Sequence, residues 1–198
     1  MSRRQFLVAK PERAPRLERV QVLVVNSSEK AGILIKNIFH QIGFTHVVTA
    51  QTAAEAVFAM RQMRIDMIMV DSQLYTNKEA QSINPEWESI SGIEFVKRLR
   101  RASGSPNRFA PAMMLVDGLT QQEIIEARDA GVNEVVMKPL NAKDFCARVT
   151  QAFDKPKNFI TAPEYKGPCR RRRGTLPEGQ DERRMRDIRV IRHNEVQA

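Results

Sequence analysis

Apolar residues follow two rhythms along this chain, short β-branched runs and longer stretches with helical spacing, and the two alternate five times. Val20-Gln21-Val22-Leu23-Val24-Val25 has strand length and is apolar enough to be covered on both faces of a sheet. Ser27 or Ser28 can then cap a helix, in which Ala31, Ile33, Leu34, Ile35, Ile38, Phe39 and Ile42 form a broad apolar stripe stopping at Gly43. Val47-Val48-Thr49 predicts a short second strand. Thr52-Ala53-Ala54-Glu55 reads as a capping box opening a helix with Ala56, Val57 and Met60 inward. Ile65 to Val70 predicts a third strand closed by Asp71. Ile93, Phe95, Val96 and Leu99 mark the next helix, Ala112 to Val116 the fourth strand, and Thr120 caps a helix through Ile124, Ile125 and Ala130 to Gly131. Val135 and Val136 lie in a fifth strand, and a last helix runs from Asn141 to about Phe153 with Phe145, Val149 and Phe153 inward.

Strict alternation of strands and helices predicts an α/β protein with a doubly wound, five-stranded parallel sheet and helices on both faces. One stretch breaks the rhythm. Ser72 to Ser91 is long, polar and interrupted by Pro85, and loops of that length inside compact α/β units are uncommon and often functional. Trp87, the single tryptophan, stands in it beside Ile83, Pro85 and Ile90. It reads either as an exposed anchor for a partner or as a plug that closes the loop on itself.

Charge divides the chain further. Of the net +9, residues 1–19 carry +4 (six Arg/Lys, two Glu) and residues 155–198 carry +6 (twelve Arg/Lys, six Asp/Glu), leaving residues 20–154 at −1. The expected organisation is a basic N-terminal arm (1–19), one core domain (20–154) and a basic, largely disordered C-terminal tail (155–198), of which Phe159, Ile160 and Tyr165 are expected to fold back on the core. The run Arg170, Arg171, Arg172 and Arg173 makes the tail a candidate surface for an acidic protein or membrane, for nucleic acid, or for solvent alone. Six interspersed acids and few aromatics leave nucleic acid the less favoured partner. No apolar run approaches the roughly 18 residues of a membrane span, and the N-terminal apolar stretch is too short for a signal peptide, so a cytoplasmic protein is expected. Cys146 and Cys169 suggest neither a disulfide framework nor a zinc site, and His40, His46 and His193 are too dispersed for a metal. No nucleophile–base set or phosphate-cradling glycine loop appears, which argues against an enzyme.

The chemistry gathers where strands end. Asp71 closes the third strand, and Lys138 and Pro139 close the fifth. Open α/β sheets place their sites at that edge, and an acid with a lysine there suggests a phosphoryl-transfer pocket. Asn26-Ser27-Ser28 follows the first strand, where such a pocket would hold acidic metal ligands.

These features together resemble the receiver domain of bacterial two-component response regulators over roughly residues 20 to 154. The resemblance rests on Val22-Leu23-Val24-Val25, Asp71 at a strand end, Gly92-Ile93-Glu94-Phe95-Val96, Pro111, Ala130-Gly131-Val132 and Lys138-Pro139-Leu140. Asn158-Phe159-Ile160, Tyr165-Lys166-Gly167-Pro168 and the arginine run are similar to the tails of stand-alone members that lack an output domain. The resemblance implies the (βα)5, flavodoxin-like receiver fold. It also implies an aspartate at the position of Asp71 that takes a phosphoryl group from a histidine kinase, Mg²⁺ on two acids after the first strand, and Lys138 on the phosphoryl oxygens. A Ser/Thr and an aromatic residue then report the change.

This chain departs from that pattern. The acid positions are Asn26 and Ser27, the hydroxyl position is Val116, the aromatic position is Val135, and the loop after Asp71 is longer by roughly a dozen residues. Mg²⁺ prefers hard, anionic oxygens, so at most weak Mg²⁺ binding at Asp71 is expected, and no other cofactor; Glu29, Asp117, Glu86 or Glu88 are the acids within reach for rescue. With one carboxylate facing one ammonium, Asp71 and Lys138 are expected to form a structural ion pair that is neutral without metal. The expectation is a degenerate receiver in two-component-type signalling that binds a protein partner, a histidine kinase or another signalling protein. The alternatives are a phosphorylatable regulator with Asp71 as acceptor, and a basic nucleic-acid-associated protein.

Overall fold

The computed structural model describes residues 17–74, 87, 90–118, 120–154, 157–170 and 189–191. Five strands, β1 (Gln21–Val25), β2 (His46–Ala50), β3 (Met67–Asp71), β4 (Ala112–Val116) and β5 (Glu134–Met137), alternate with α1 (Glu29–Gln41), α2 (Ala53–Gln62), α3 (Gly92–Arg101), α4 (Gln121–Ala130) and α5 (Ala142–Asp154). The five strands pair in parallel in the order β2-β1-β3-β4-β5. This is the doubly wound arrangement expected from the alternation.

Strand side chains alternate between two cores, as the period of two requires. Leu23, Val25, Ile68, Val70, Met114 and Val116 face α2, α3 and α4. Val22, Val24, Met67, Met69, Met113 and Leu115 face α1 and α5, where Phe39 meets Phe44 and Phe145 edge-on at 5.2 and 5.1 Å. Both faces of the three central strands are therefore dry, which explains their unbroken apolar composition.

The helix starts follow their caps. Ser28, Thr52, Ser91 and Thr120 each accept from the backbone N–H three residues on. Thr120 and Glu123 complete a reciprocal box, while Glu55 reaches past Thr52 to the Gln51 N–H at 2.8 Å, so the box expected at Thr52 is displaced by one residue. The broad stripe expected on α1 is narrower in the fold. Gly32, Ile35 and Phe39 are buried, whereas Ile33 and Leu34 are 47% and 61% exposed, because one helix face covers only part of the sheet.

Burial decides between the two readings left open for Trp87. Trp87 is not an exposed contact anchor: it is buried and packs edge-to-face on Phe95 of α3 at 5.8 Å, so its indole fills the α3 side of the core. The described part of the C-terminal segment folds onto the domain, as expected of Phe159. β6 (Phe159–Thr161) pairs antiparallel with β7 (Lys166–Pro168) and with β8 (Arg189–Ile191), and Phe159 is buried. At the other end, residues 17–19 of the expected basic arm form a 3-10 turn whose Leu17 packs on the α1/α5 core, with Glu18 accepting from the Thr45 hydroxyl at 2.6 Å.

Candidate functional site

β3 delivers Asp71 to the carboxyl edge of the sheet opposite Leu115 of β4, and β5 pairs Met137 with Val116, which brings Lys138 to the same edge. The Ser72 N–H donates to Leu115 O and the Lys138 N–H to Val116 O, both at 2.8 Å, so the ladder continues one residue past each strand and fixes both backbones. Gly92 opens α3 against this edge. Its N–H donates to Ser72 O at 2.9 Å, and a Cβ there would strike the Asp71 carbonyl, so only glycine allows the approach. The Lys138–Pro139 peptide is cis.

Asp71 is 4% exposed, and both of its carboxylate oxygens are hydrogen-bonded. Its Oδ2 accepts from Lys138 Nζ at 2.6 Å and from Asn26 Nδ2 at 2.8 Å, and its Oδ1 accepts from the Gln73 N–H at 3.0 Å. Asn26, equally buried, holds its own amide in place by accepting from the Ser28 N–H at 2.9 Å through Oδ1. Ser27 turns its hydroxyl toward Gln73 O at 3.5 Å, at the limit of a hydrogen bond.

Lys138 has a second anionic neighbour. Asp117 Oδ2 lies 3.1 Å from Nζ, with the Asp117 side chain 58% exposed. The expectation of one carboxylate facing one ammonium is corrected to two carboxylates sharing one lysine. Burial alone would push the Lys138 pKa down, but its bonds to Asp71 and Asp117 and their negative charge outweigh that and raise it.

The donors at this edge are poorly matched to a magnesium ion. Asn26 presents N–H, not oxygen, to the Asp71 carboxylate, and its one oxygen is committed to the Ser28 N–H. The two remaining acids are bridged by an ammonium, and among the described residues no three His, Cys, Asp or Glu side chains stand together. Glu86 and Glu88 lie outside the described residues.

The two valines at switch positions are packing residues. Val116 is buried within the core facing α2, α3 and α4, and Val135 is partly buried against it. Both line a shallow pocket of about 350 Å³ between α4, β5 and α5, with Ile124, Met137 and Pro139 on its rim. Of the arginine run, Arg170 is bound to the fold: Nη1 lies 3.0 Å from Asp129 of α4 and the guanidinium stacks 3.7 Å over the Tyr165 ring. Arg171, Arg172 and Arg173 lie outside the described residues.

A family model for the response regulator receiver domain matches residues 22–150. The chain belongs to the receiver domain family. The chemotaxis protein CheY of Pseudomonas aeruginosa is 22% identical over 69% of this chain and 98% of its own length. The DNA-binding response regulator MtrA of Mycolicibacterium smegmatis is 24% identical over 72% of this chain, which covers 56% of MtrA. Among solved structures, chemotaxis protein CheY4 of Vibrio cholerae superposes with a TM-score of 0.55 at 23% identity, covering 67% of this chain and 97% of CheY4. The receiver domain of sensor histidine kinase PA1611 from Pseudomonas aeruginosa, which coordinates magnesium in its active-site cleft, gives 0.51 at 18% identity, covering 68% and 98%. At these identities the structural likeness is one of fold, and the two-component signalling role follows from the family.

Three site contributors were not assigned from the sequence: the Asn26 amide as a donor to Asp71, the Gln73 N–H, and Asp117 as a standing partner of Lys138. Asp117 directly follows Val116 on the edge that carries Asp71, so strand-end position alone points to it. The other two depend on a side-chain rotamer and a backbone turn, which spacing does not encode.

Proposed function

We propose that this receiver works in two-component-type signal transduction by binding a protein partner without the Mg²⁺-dependent phosphoryl switch. The observation that carries the reading is the Asn26 amide donating to Asp71 Oδ2 beside Lys138, at 2.8 and 2.6 Å. Phosphoryl transfer to a carboxylate needs a free oxygen to attack and a cation that neutralises the incoming phosphoryl oxygens. Here both carboxylate oxygens already accept hydrogen bonds, and the place of an anionic ligand is taken by a neutral donor. Val116 supplies no hydroxyl and Val135 no aromatic ring to report an added phosphoryl group, so the partner-binding state is constitutive. The contact face best suited to a partner is the one formed by α4, β5 and α5, where Ile124 and Met137 are 47% and 65% exposed beside the shallow pocket.

One observation favours the second reading, a phosphorylatable regulator: Asp117 adds a second, exposed carboxylate next to Lys138. Intact mass after incubation with acetyl phosphate and Mg²⁺ separates the two, with Asp71→Asn and Asn26→Asp alongside. The constitutive reading expects no mass increase in the wild type, and a thermal stabilisation by Mg²⁺ that appears only in Asn26→Asp, where a third carboxylate replaces the amide. A gain of one phosphoryl group that Asp71→Asn abolishes would establish the second reading.

A further inference from the structure

At the end of the sheet away from Asp71, where β4 and β5 begin, the C-terminal segment closes over a buried cation. Arg100 of α3 is 1% exposed and donates to the carbonyls of Gly131, Ala110 and Arg108 and to Asn133 Oδ1, with its guanidinium 5.8 Å from the Phe159 ring. No carboxylate among the described residues pairs with it. Burial lowers its pKa to about 10, so it stays charged at neutral pH.

On the segments around it, the end of α3 and its following loop, the end of α4 and residues 157–170, Arg101, Arg108, Arg128, Lys157, Lys166 and Arg170 reach the surface, and the carboxylates among the described residues of these segments are Asp129 and Glu164. Three of these six cations are fixed by neutral acceptors. Arg101 donates to Glu164 O at 3.0 Å, Lys157 to Asn133 O at 2.8 Å, and Arg108 to Ala102 O at 2.9 Å, while Arg128 and Arg170 share Asp129. Asp66 and Glu134, also at this end, are each paired with an arginine, Arg64 and Arg148, and add no net charge. The result is a preorganised cationic surface on a domain whose other edge holds Asp71 and Asp117.

What this surface lacks narrows its partner. The large exposed apolar side chains lie elsewhere; none belongs to the end of α3, its following loop, the end of α4 or residues 157–170. Specific protein interfaces rely on apolar or aromatic anchors, which an acidic protein would not find here. Nor, among the described residues of this surface, is a ring free for base stacking: Phe109 and Phe159 pack on each other at 4.9 Å, and Tyr165 lies beneath Arg170. The cations come from three separate segments instead of one amphipathic helix, unlike a membrane-surface element.

From fixed cations without apolar or stacking anchors, we infer that this end of the molecule docks the backbone of double-stranded nucleic acid, through phosphates and without reading sequence. The inference is independent of whether Asp71 is phosphorylated.

The test uses the full chain and a labelled DNA duplex of about 20 base pairs, with affinity followed by anisotropy from about 50 to 300 mM salt. Anionic phosphatidylglycerol vesicles and polyglutamate serve as rival ligands. Wild type is expected to bind the duplex with affinity falling linearly in log salt. The triple variant Arg101→Gln, Arg128→Gln, Lys157→Gln should bind at least about tenfold more weakly at the lowest salt, with a slope shallower by about two to three. If circular dichroism shows that variant misfolded, Arg128→Gln alone, at an exposed site, must flatten the slope by about one. Absence of duplex binding at the lowest salt, unchanged affinity in the folded variants, or tighter binding to vesicles or polyglutamate overturns the inference.

Discussion

Three donors surround the buried Asp71 carboxylate, and only Lys138 among them is a cation. Removing that ammonium leaves a buried carboxylate with two neutral donors. Breaking a buried pair from one side costs about 3–5 kcal/mol, so Lys138→Met should lower unfolding stability by that order at neutral pH, while Lys143→Met, at an exposed site on α5, should change it by under about 1 kcal/mol. The pH dependence has a definite sign. Because the folded pKa of Lys138 is raised, its stabilising contribution is complete below the ordinary lysine value of about 10.4 and is lost as pH rises through the higher folded value. The stability gap between wild type and Lys138→Met should therefore stay level from neutral pH and close only in strong alkali. Urea unfolding in a pH series measures it, and a gap that closes nearer neutrality would assign the stabilisation to another group. At this scale the sequence was legible in residue type and opaque in orientation. Asp71, Lys138, Asn26 and Ser27 could be placed on one edge from strand ends alone, but that Asn26 turns its amide nitrogen toward Asp71 depends on the Ser28 N–H holding the oxygen.

Elements with a strong period were readable, and those without one were not. The strands β1, β3 and β4 appear as runs because both their faces are covered, and α4 is framed by Thr120 and by Gly131, whose φ of +96° a side chain would resist. The three-residue strands β6 and β7 carry too few positions to show alternation, and their Gly, Pro and Lys content hides the strands, although Phe159, Ile160 and Tyr165 signal contact with the core. What orders them is tertiary. Phe159 lies against Phe109 and the Arg100 guanidinium, and Gly131 and Gly167 approach so closely that a Cβ on Gly167 would lie 2.9 Å from the Gly131 Cα. Truncating a buried phenylalanine usually costs about 3–5 kcal/mol, and here it would also open the shield over a charged guanidinium. Phe159→Ala should thus destabilise the whole domain by about 3 kcal/mol or more in urea unfolding. A loss below about 0.5 kcal/mol would mean that the segment is an accessory to the fold. The same logic explains Trp87, whose loop position left anchor and plug both open while its contact with Phe95 gives burial; loop sequence does not reveal which ring the core will accept.

Across the whole molecule, β4 sets the two sites apart. Its first residue, Ala112, donates its N–H to Asn133 Oδ1, which also accepts from Arg100, and its last, Val116, accepts from the Lys138 N–H. Four residues of parallel strand separate these contacts by about 13 Å. The Asp71 edge and the Arg100 edge share a rigid strand but no hydrogen-bond partner in common. Substitutions this far apart usually combine within about 0.5 kcal/mol, so the stability losses of Lys138→Met and Phe159→Ala should add in the double variant, if enough stability remains to measure unfolding. Additivity in a double-mutant cycle would mean that a protein docked near α4, β5 and α5 and an anion docked at the far end bind without affecting one another. A coupling above about 1 kcal/mol would instead mean that β4 transmits strain between the edges, and that the C-terminal segment, clasped to α4 through Arg170 and Asp129, tunes the very face proposed to bind the partner.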